Sequence, residues 1–198
     1  MLHKYRIYPT LVNTFSLYLH ESKNAEGVPY VSFEEMIDRI NRVYKPPTEA
    51  QQRGVNFEDA LLKGEGEELF PSAIIARMRA ALPAKYKSQF YVSTTIKNIE
   101  LYGFVDVVGG NRAIDIKTTA RYEPQKFVLN HQNLYLLGLK QWNIRQLDYL
   151  ITDFEDVYVE SYHYTKYDFQ PLLDELFQFV DFLEANRSLI TDKKIFKA

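Results

Sequence analysis

The stretch LYGFVDVVGGNRAIDIKTT, from Leu101 to Thr119, decides the fold. Two apolar runs, Leu101–Val108 and Ala113–Ile116, are joined by Gly109, Gly110 and Asn111. Gly-Gly and Gly-Asn supply the positive φ angles of a tight hairpin turn, so the stretch predicts two antiparallel strands. Each strand carries a carboxylate among apolar neighbours, Asp106 on the first and Asp115 on the second. Side chains alternate along a strand, so Asp115 and Lys117 share one face while Ile114 and Ile116 take the other. Folding the hairpin back brings Asp106 close to Asp115. Two carboxylates beside a lysine suit a hard divalent cation, Mg²⁺ or Mn²⁺, with the ammonium free to hold a water or a phosphate oxygen.

The 198 residues are 46% hydrophobic, which fits one domain with a sizeable core. With 15 Tyr, 13 Phe and no Cys, aromatics supply much of the bulky packing, and disulfides and cysteine-ligated metals are excluded. No apolar run approaches the roughly 20 residues of a membrane span. The opening MLHKYRIYPTLVNTF lacks a signal-peptide core, so a cytoplasmic protein is expected. A net charge of −2 argues against coating nucleic acid by bulk charge, but not against a local basic groove.

Outward from the hairpin, Thr10 is expected to cap a helix over Leu11–Leu19, followed by a polar loop and an extended piece over Val28–Phe33. Ser32 with Glu35 and Thr48 with Gln51 are capping boxes. They predict helices to about Tyr44 and Lys63, and a further helix spans Ser72–Leu82. Gln89–Lys97 alternates as a strand. Pro124 opens a predicted helix over Gln125–Gln141. Strands over Arg145–Thr152 and Asp156–Tyr164 follow, then a helix over Phe169–Asn186 capped by Asp168 and a loose tail, TDKKIFKA. The expected fold class is α/β: a mixed central β-sheet flanked by helices. The chain is expected to be a single domain, with a core over about 48–164, N-terminal helices over 1–47 and a C-terminal helix over 168–187.

The pattern Gly103-Phe-Val-Asp106 followed by Asp115-Ile-Lys117 resembles the PD-(D/E)XK nuclease superfamily, in the flavour of its RecB-like exonuclease branch. Val105 stands where the superfamily's name places Pro. The resemblance implies a restriction-endonuclease-like core and a catalytic set. In that set Glu58, Asp106, Asp115 and the carbonyl of Ile116 hold Mg²⁺, Mn²⁺ can substitute, and Lys117 orients the attacking water. Glu58 lies in Gly54-x-x-Phe57-Glu58, which is similar to the family's helical acidic motif, with Asp59 as the alternative. The family's Gln-x-x-x-Tyr resembles the stretch ending at Tyr135, where His131 or Gln132 fills the Gln position. Both spacings share a helical side with Tyr135. The implied activity is Mg²⁺-dependent hydrolysis of DNA phosphodiesters in recombination, repair or phage DNA processing, with a helicase or recombination protein as a possible partner. A catalytically silent member that binds DNA or a protein is the alternative. Arg112, Arg121, Lys126 and Lys140 are candidate phosphate contacts, and the tyrosines of 158–167 either stack on bases or pack.

Overall fold

The computed structural model describes residues 4–196. Six strands form one mixed sheet: β1 (Tyr5–Ile7), β2 (Lys87–Ile96), β3 (Ile99–Gly109), β4 (Arg112–Thr118), β5 (Gln146–Thr152) and β6 (Val157–His163). Six α-helices are assigned: α1 (Pro9–Leu19), α2 (Phe33–Ile40), α3 (Glu49–Lys63), α4 (Ser72–Ala81), α5 (Tyr135–Leu139) and α6 (Gln170–Ala185). The β3–β4 turn forms as its residues demand, with Gly110 at φ 58° and Asn111 at φ 64°. β4 runs parallel to β5, which pairs antiparallel with β6.

The pairing along β3 shapes everything that follows. β2 runs antiparallel along one edge, from Ile99 opposite Ile96 to Val108 opposite Lys87. A strand has only two edges, so β1 and β4 share the other. β1 takes Ile99–Leu101 and β4 takes Val107–Gly109. Residues 102–106 therefore face a notch with no neighbouring strand.

Helices cover the sheet in three packed clusters. α3 and α4 place Phe57, Leu61, Ile74 and Met78 against Val107, Ile114 and Leu150. α1 and α6 place Leu11, Phe15, Leu176 and Phe179 against Ile7, Ile99 and Leu101. α5 packs with Val92, Val105, Leu147 and Tyr149. Burying one such side chain contributes about 1.5–3 kcal/mol. Buried residues alternate along β3 from Ile99 to Val107, with Val105 in the α5 cluster and Val107 in the α3–α4 cluster.

Both capping boxes form, Ser32 with Glu35 and Thr48 with Gln51. Other expectations need correction. Thr10 does not cap α1, which starts at Pro9 after Tyr8 without a side-chain cap. Over Val28–Phe33 the ladder reduces to one bridge, Lys23 to Pro29. α2 stops at Ile40 rather than near Tyr44. The helix expected over Gln125–Gln141 breaks into turns, a 3₁₀ turn over His131–Leu134, the short α5 and another 3₁₀ turn. Asn133 explains part of that break, because its amide donates to the Phe127 and Val128 carbonyls instead of leaving them to a helical ladder. Asp168 accepts from the Gln170 amide, one residue before the α6 cap position. The tail is docked: the Arg6 amide donates to Ile195, Phe196 bridges to Tyr5, and Asn41 accepts from Thr191. Lys197 and Ala198 lie outside the described residues. Among the described residues no helix is long and apolar enough to cross a membrane.

Candidate active site

The hairpin register sets Val107 opposite Ile114, so Asp106 lies across from Asp115 where the two strands part. Asp106 Oδ2 accepts from the Ile116 backbone amide at 2.7 Å. That carboxylate replaces the strand acceptor the notch removes, leaving no orphaned donor at Ile116. On the other side of the notch, the Phe104 amide donates to the Tyr135 hydroxyl. Tyr135 is buried, and its hydroxyl fills the space a side chain at Gly103 would occupy: a Cβ there would stand 2.0 Å from it.

Gln132 joins the second carboxylate to the lysine. Its Nε2 donates to Asp115 Oδ1 at 2.6 Å, and its Oε1 accepts from Lys117 Nζ at 2.9 Å. The ammonium also stands 2.5 Å from Asp115 Oδ2, an ion-pair contact rather than an aligned hydrogen bond, because that buried oxygen has no hydrogen-bond partner. Asp115 is buried, whereas the Lys117 side chain keeps 25% of its surface in solvent. The lysine is the member of the pair that can meet a ligand.

His131, the alternative to Gln132, faces elsewhere. Three backbone and amide donors fix its tautomer. The Gln132 amide donates to Asn130 Oδ1, and Asn13 Nδ2 donates to the same oxygen. Asn13 Oδ1 is then left to accept from the His131 backbone amide at 2.8 Å and from His131 Nδ1 at 2.9 Å. Nδ1 therefore carries a proton, and Nε2 points at Glu175, 3.4 Å away. Burial outweighs the nearby Glu175 charge and holds the imidazole down at about 4, hence neutral.

On α3, Glu58 and not Asp59 turns toward the site. Glu58 accepts from Gln89 Nε2 at 2.8 Å, and Asp59 pairs outward with Lys63 at 2.7 Å. Gln89 sits opposite the notch at φ 49°, a left-handed conformation costly for a side-chain-bearing residue. No signal in the sequence marks Gln89, because its role depends on a helix 31 positions earlier.

The carboxylates feel one another. Burial first, then the Asp115 and Glu58 charges, push the Asp106 carboxyl up to about 8. Burial, opposed by the Gln89 bond, raises Glu58, with Asp115 adding to the rise. Among the described residues, no group of three His, Cys, Asp or Glu side chains converges as a metal cluster. The donor chemistry nonetheless fits a hard cation: burial and the Asp115 and Glu58 charges penalise a charged Asp106, and Asp115 Oδ2 is met only by the Lys117 ion pair. Glu58, Asp106, Asp115 and the Ile116 carbonyl are the groups that would hold it.

The cationic candidates are mostly engaged. Arg112 pairs with Asp148 at 2.8 Å and donates to the Ala81 carbonyl, so it serves the fold. Lys126 donates to Thr119 Oγ1 at 2.6 Å, and Lys140 to the Tyr164 hydroxyl at 3.2 Å. The Arg121 backbone carbonyl accepts from Thr119 Oγ1 and from Lys126 Nζ. The late tyrosines pack: Tyr158 stacks on Tyr122 at 4.1 Å, and Tyr162 bonds Glu160.

No family model matches the chain, and no curated protein matches it. Solved structures similar in outline include the following two. SSO0001 is 11% identical over 98% of this chain and 89% of its own, with a TM-score of 0.46. A protein from Eubacterium rectale named "Putative exonuclease" is 12% identical over 88% of this chain and 78% of its own, with a TM-score of 0.42.

Proposed function

We propose that this chain is a metal-dependent deoxyribonuclease of the PD-(D/E)XK kind, acting as a RecB-like exonuclease in DNA recombination, repair or phage DNA processing. One observation carries the reading: the Gln132 amide bridges Asp115 and Lys117 beside Asp106, in a notch where the sheet opens. Glu58, Asp106, Asp115 and the Ile116 carbonyl would hold Mg²⁺ or Mn²⁺. Bound there, such a cation would lower the pKa of a water and offset charge on the attacked phosphate.

The chain's own groups do the rest. Gln132 holds the Lys117 ammonium at a fixed place, so Lys117 orients the attacking water or a non-bridging phosphate oxygen by charge and hydrogen bonding. Asp115 stays oriented by the Gln132 donor. Tyr135 acts as a positioning residue, holding the β3 backbone at Gly103 and Phe104. A helicase or recombination protein is the partner class this reading implies.

A second reading, a catalytically silent nuclease fold that binds DNA or a protein, is favoured by the want of a converged acidic triad among the described residues. Linear and closed-circular DNA, incubated with Mg²⁺, Mn²⁺ or chelator, separate the two. The nuclease reading expects metal-dependent loss of the linear form alone, abolished in folded Asp115→Ala and Lys117→Ala proteins. Cutting of the closed circle would replace exonuclease by endonuclease. A folded wild type that cuts neither DNA sinks the reading.

A further inference from the structure

A cleft of about 430 Å³ lies between α1, α2 and the segment after α2, away from the carboxylates. Its cations are Arg39, Arg42 and Lys45, and its aromatics are Tyr8, Tyr30 and Tyr44. The one carboxylate in the lining, Glu35, is tied to the Ser32 amide at 2.9 Å in the α2 capping box, so its charge is met by a helix N-terminus. Arg42 is paired with Asp192 at 2.6 Å, and Lys45 with Asp38 at 3.3 Å. The Arg39 side chain makes no hydrogen bond or ion pair among the described residues, so its guanidinium is available. Tyr44 is 84% exposed and Tyr30 58%, although each ring would bury well over 100 Å² if covered.

We propose that this cleft binds a single-stranded segment of nucleic acid, Arg39 taking a phosphate and Tyr30 and Tyr44 stacking on bases. Available guanidinium and bare aromatic faces in one concavity match the two chemistries of a nucleotide, an anion and a π-face. Two of the cleft residues touch the start of the notch. Arg42 donates to the Tyr102 hydroxyl at 3.1 Å, and Tyr8 packs edge-on against Tyr102 at 6.1 Å. Tyr102 is the first residue of the strandless stretch that ends at Asp106, about 14 Å further along β3 at strand spacing. A strand whose backbone is cut at the notch would thus run on into the cleft. This placement rests on the nuclease reading, but binding in the cleft can be tested without it.

The test is fluorescence anisotropy of a labelled oligo-dT in chelator, where no metal-dependent cutting occurs. The Arg39→Ala/Tyr44→Ala double variant is expected to bind about tenfold more weakly than wild type. Lys85→Ala, at an exposed position that lines neither the cleft nor the carboxylates, is expected to bind as wild type does. Double-variant binding within twofold of wild type, with an unchanged circular dichroism spectrum, overturns the proposal. So does equal displacement of oligo-dT by poly-glutamate at matched charge, which would assign the cleft to an acidic protein segment. A wild type that binds oligo-dT through the cleft yet digests nothing would sink the nuclease reading and leave this one standing.

Discussion

The Asp106 carboxylate accepts a hydrogen bond from the Ile116 backbone amide at 2.7 Å, across the point where β3 and β4 part. The contact joins a fold requirement to a site requirement. It satisfies a backbone donor that would otherwise lack a strand partner, and it holds a carboxylate beside Asp115. The same enclosure makes the charged form costly, which is why Asp106 stays protonated up to about pH 8.

A pH dependence follows from that enclosure. A carboxyl raised from 3.8 to about 8 keeps a proton in the native state that the unfolded chain has already lost. Stability from this group is therefore lost as pH rises from about 4 through about 8. Asp106→Asn keeps an oxygen acceptor for Ile116 and removes the titration. Without added metal it should be more stable than wild type at pH 8, by several °C in Tm, and nearly equal at pH 4. Thermal melts at the two pH values check this.

Divalent metal should act in the opposite sense on the wild type. Mg²⁺ or Mn²⁺ at about 100 times its dissociation constant adds about 2.7 kcal/mol, and so raises Tm. Asp106→Asn and Asp115→Asn should lose most of that rise. Calcium-free differential scanning fluorimetry with and without Mn²⁺ reads it, and equal rises in all three proteins would place the cation elsewhere.

Gln132→Ala should lower the DNA-cleavage rate by about 10²-fold, because Lys117 loses its fixed position and Asp115 its donor. The buried Asp115 oxygen left without a partner should also cost about 1–3 kcal/mol of stability. Single-turnover kinetics and urea denaturation separate the two effects. His131→Asn, altering the neighbour that faces away from the site, should leave the rate within a few fold.

His131 should stay neutral well below the usual histidine range. Its folded value of about 4 lies under the unfolded 6.5, so the unfolded chain binds the extra proton first. The stability it contributes is complete above about pH 6.5 and is lost as pH falls toward 4. Imidazole chemical shifts that titrate near 6.5 in the folded protein would contradict the Asn13 network.

Gly103→Ala should destabilise the fold by about 1–3 kcal/mol, since the new methyl would stand 2.0 Å from the Tyr135 hydroxyl and 2.8 Å from its ring. Removing the hydroxyl with Tyr135→Phe should lessen the cost of the alanine without abolishing it. Additive losses in the double variant would mean the two residues do not share the space.

The residues alone determined what is local. Gly110 and Asn111 impose a turn because few other residues accept positive φ, so the hairpin and the opposition of its two aspartates follow from neighbours in the chain. Ser32 and Thr48 likewise start helices through bonds to residues three positions away. Tertiary structure alone decided the rest, because it joins partners far apart. Only the fold sets β1 beside β3, docks Ile195 against Arg6 and turns Gln132 rather than His131 toward Lys117. The notch itself exists because β1 and β4 each pair with only three residues on one edge of β3, a competition among distant segments that no local pattern of side chains records.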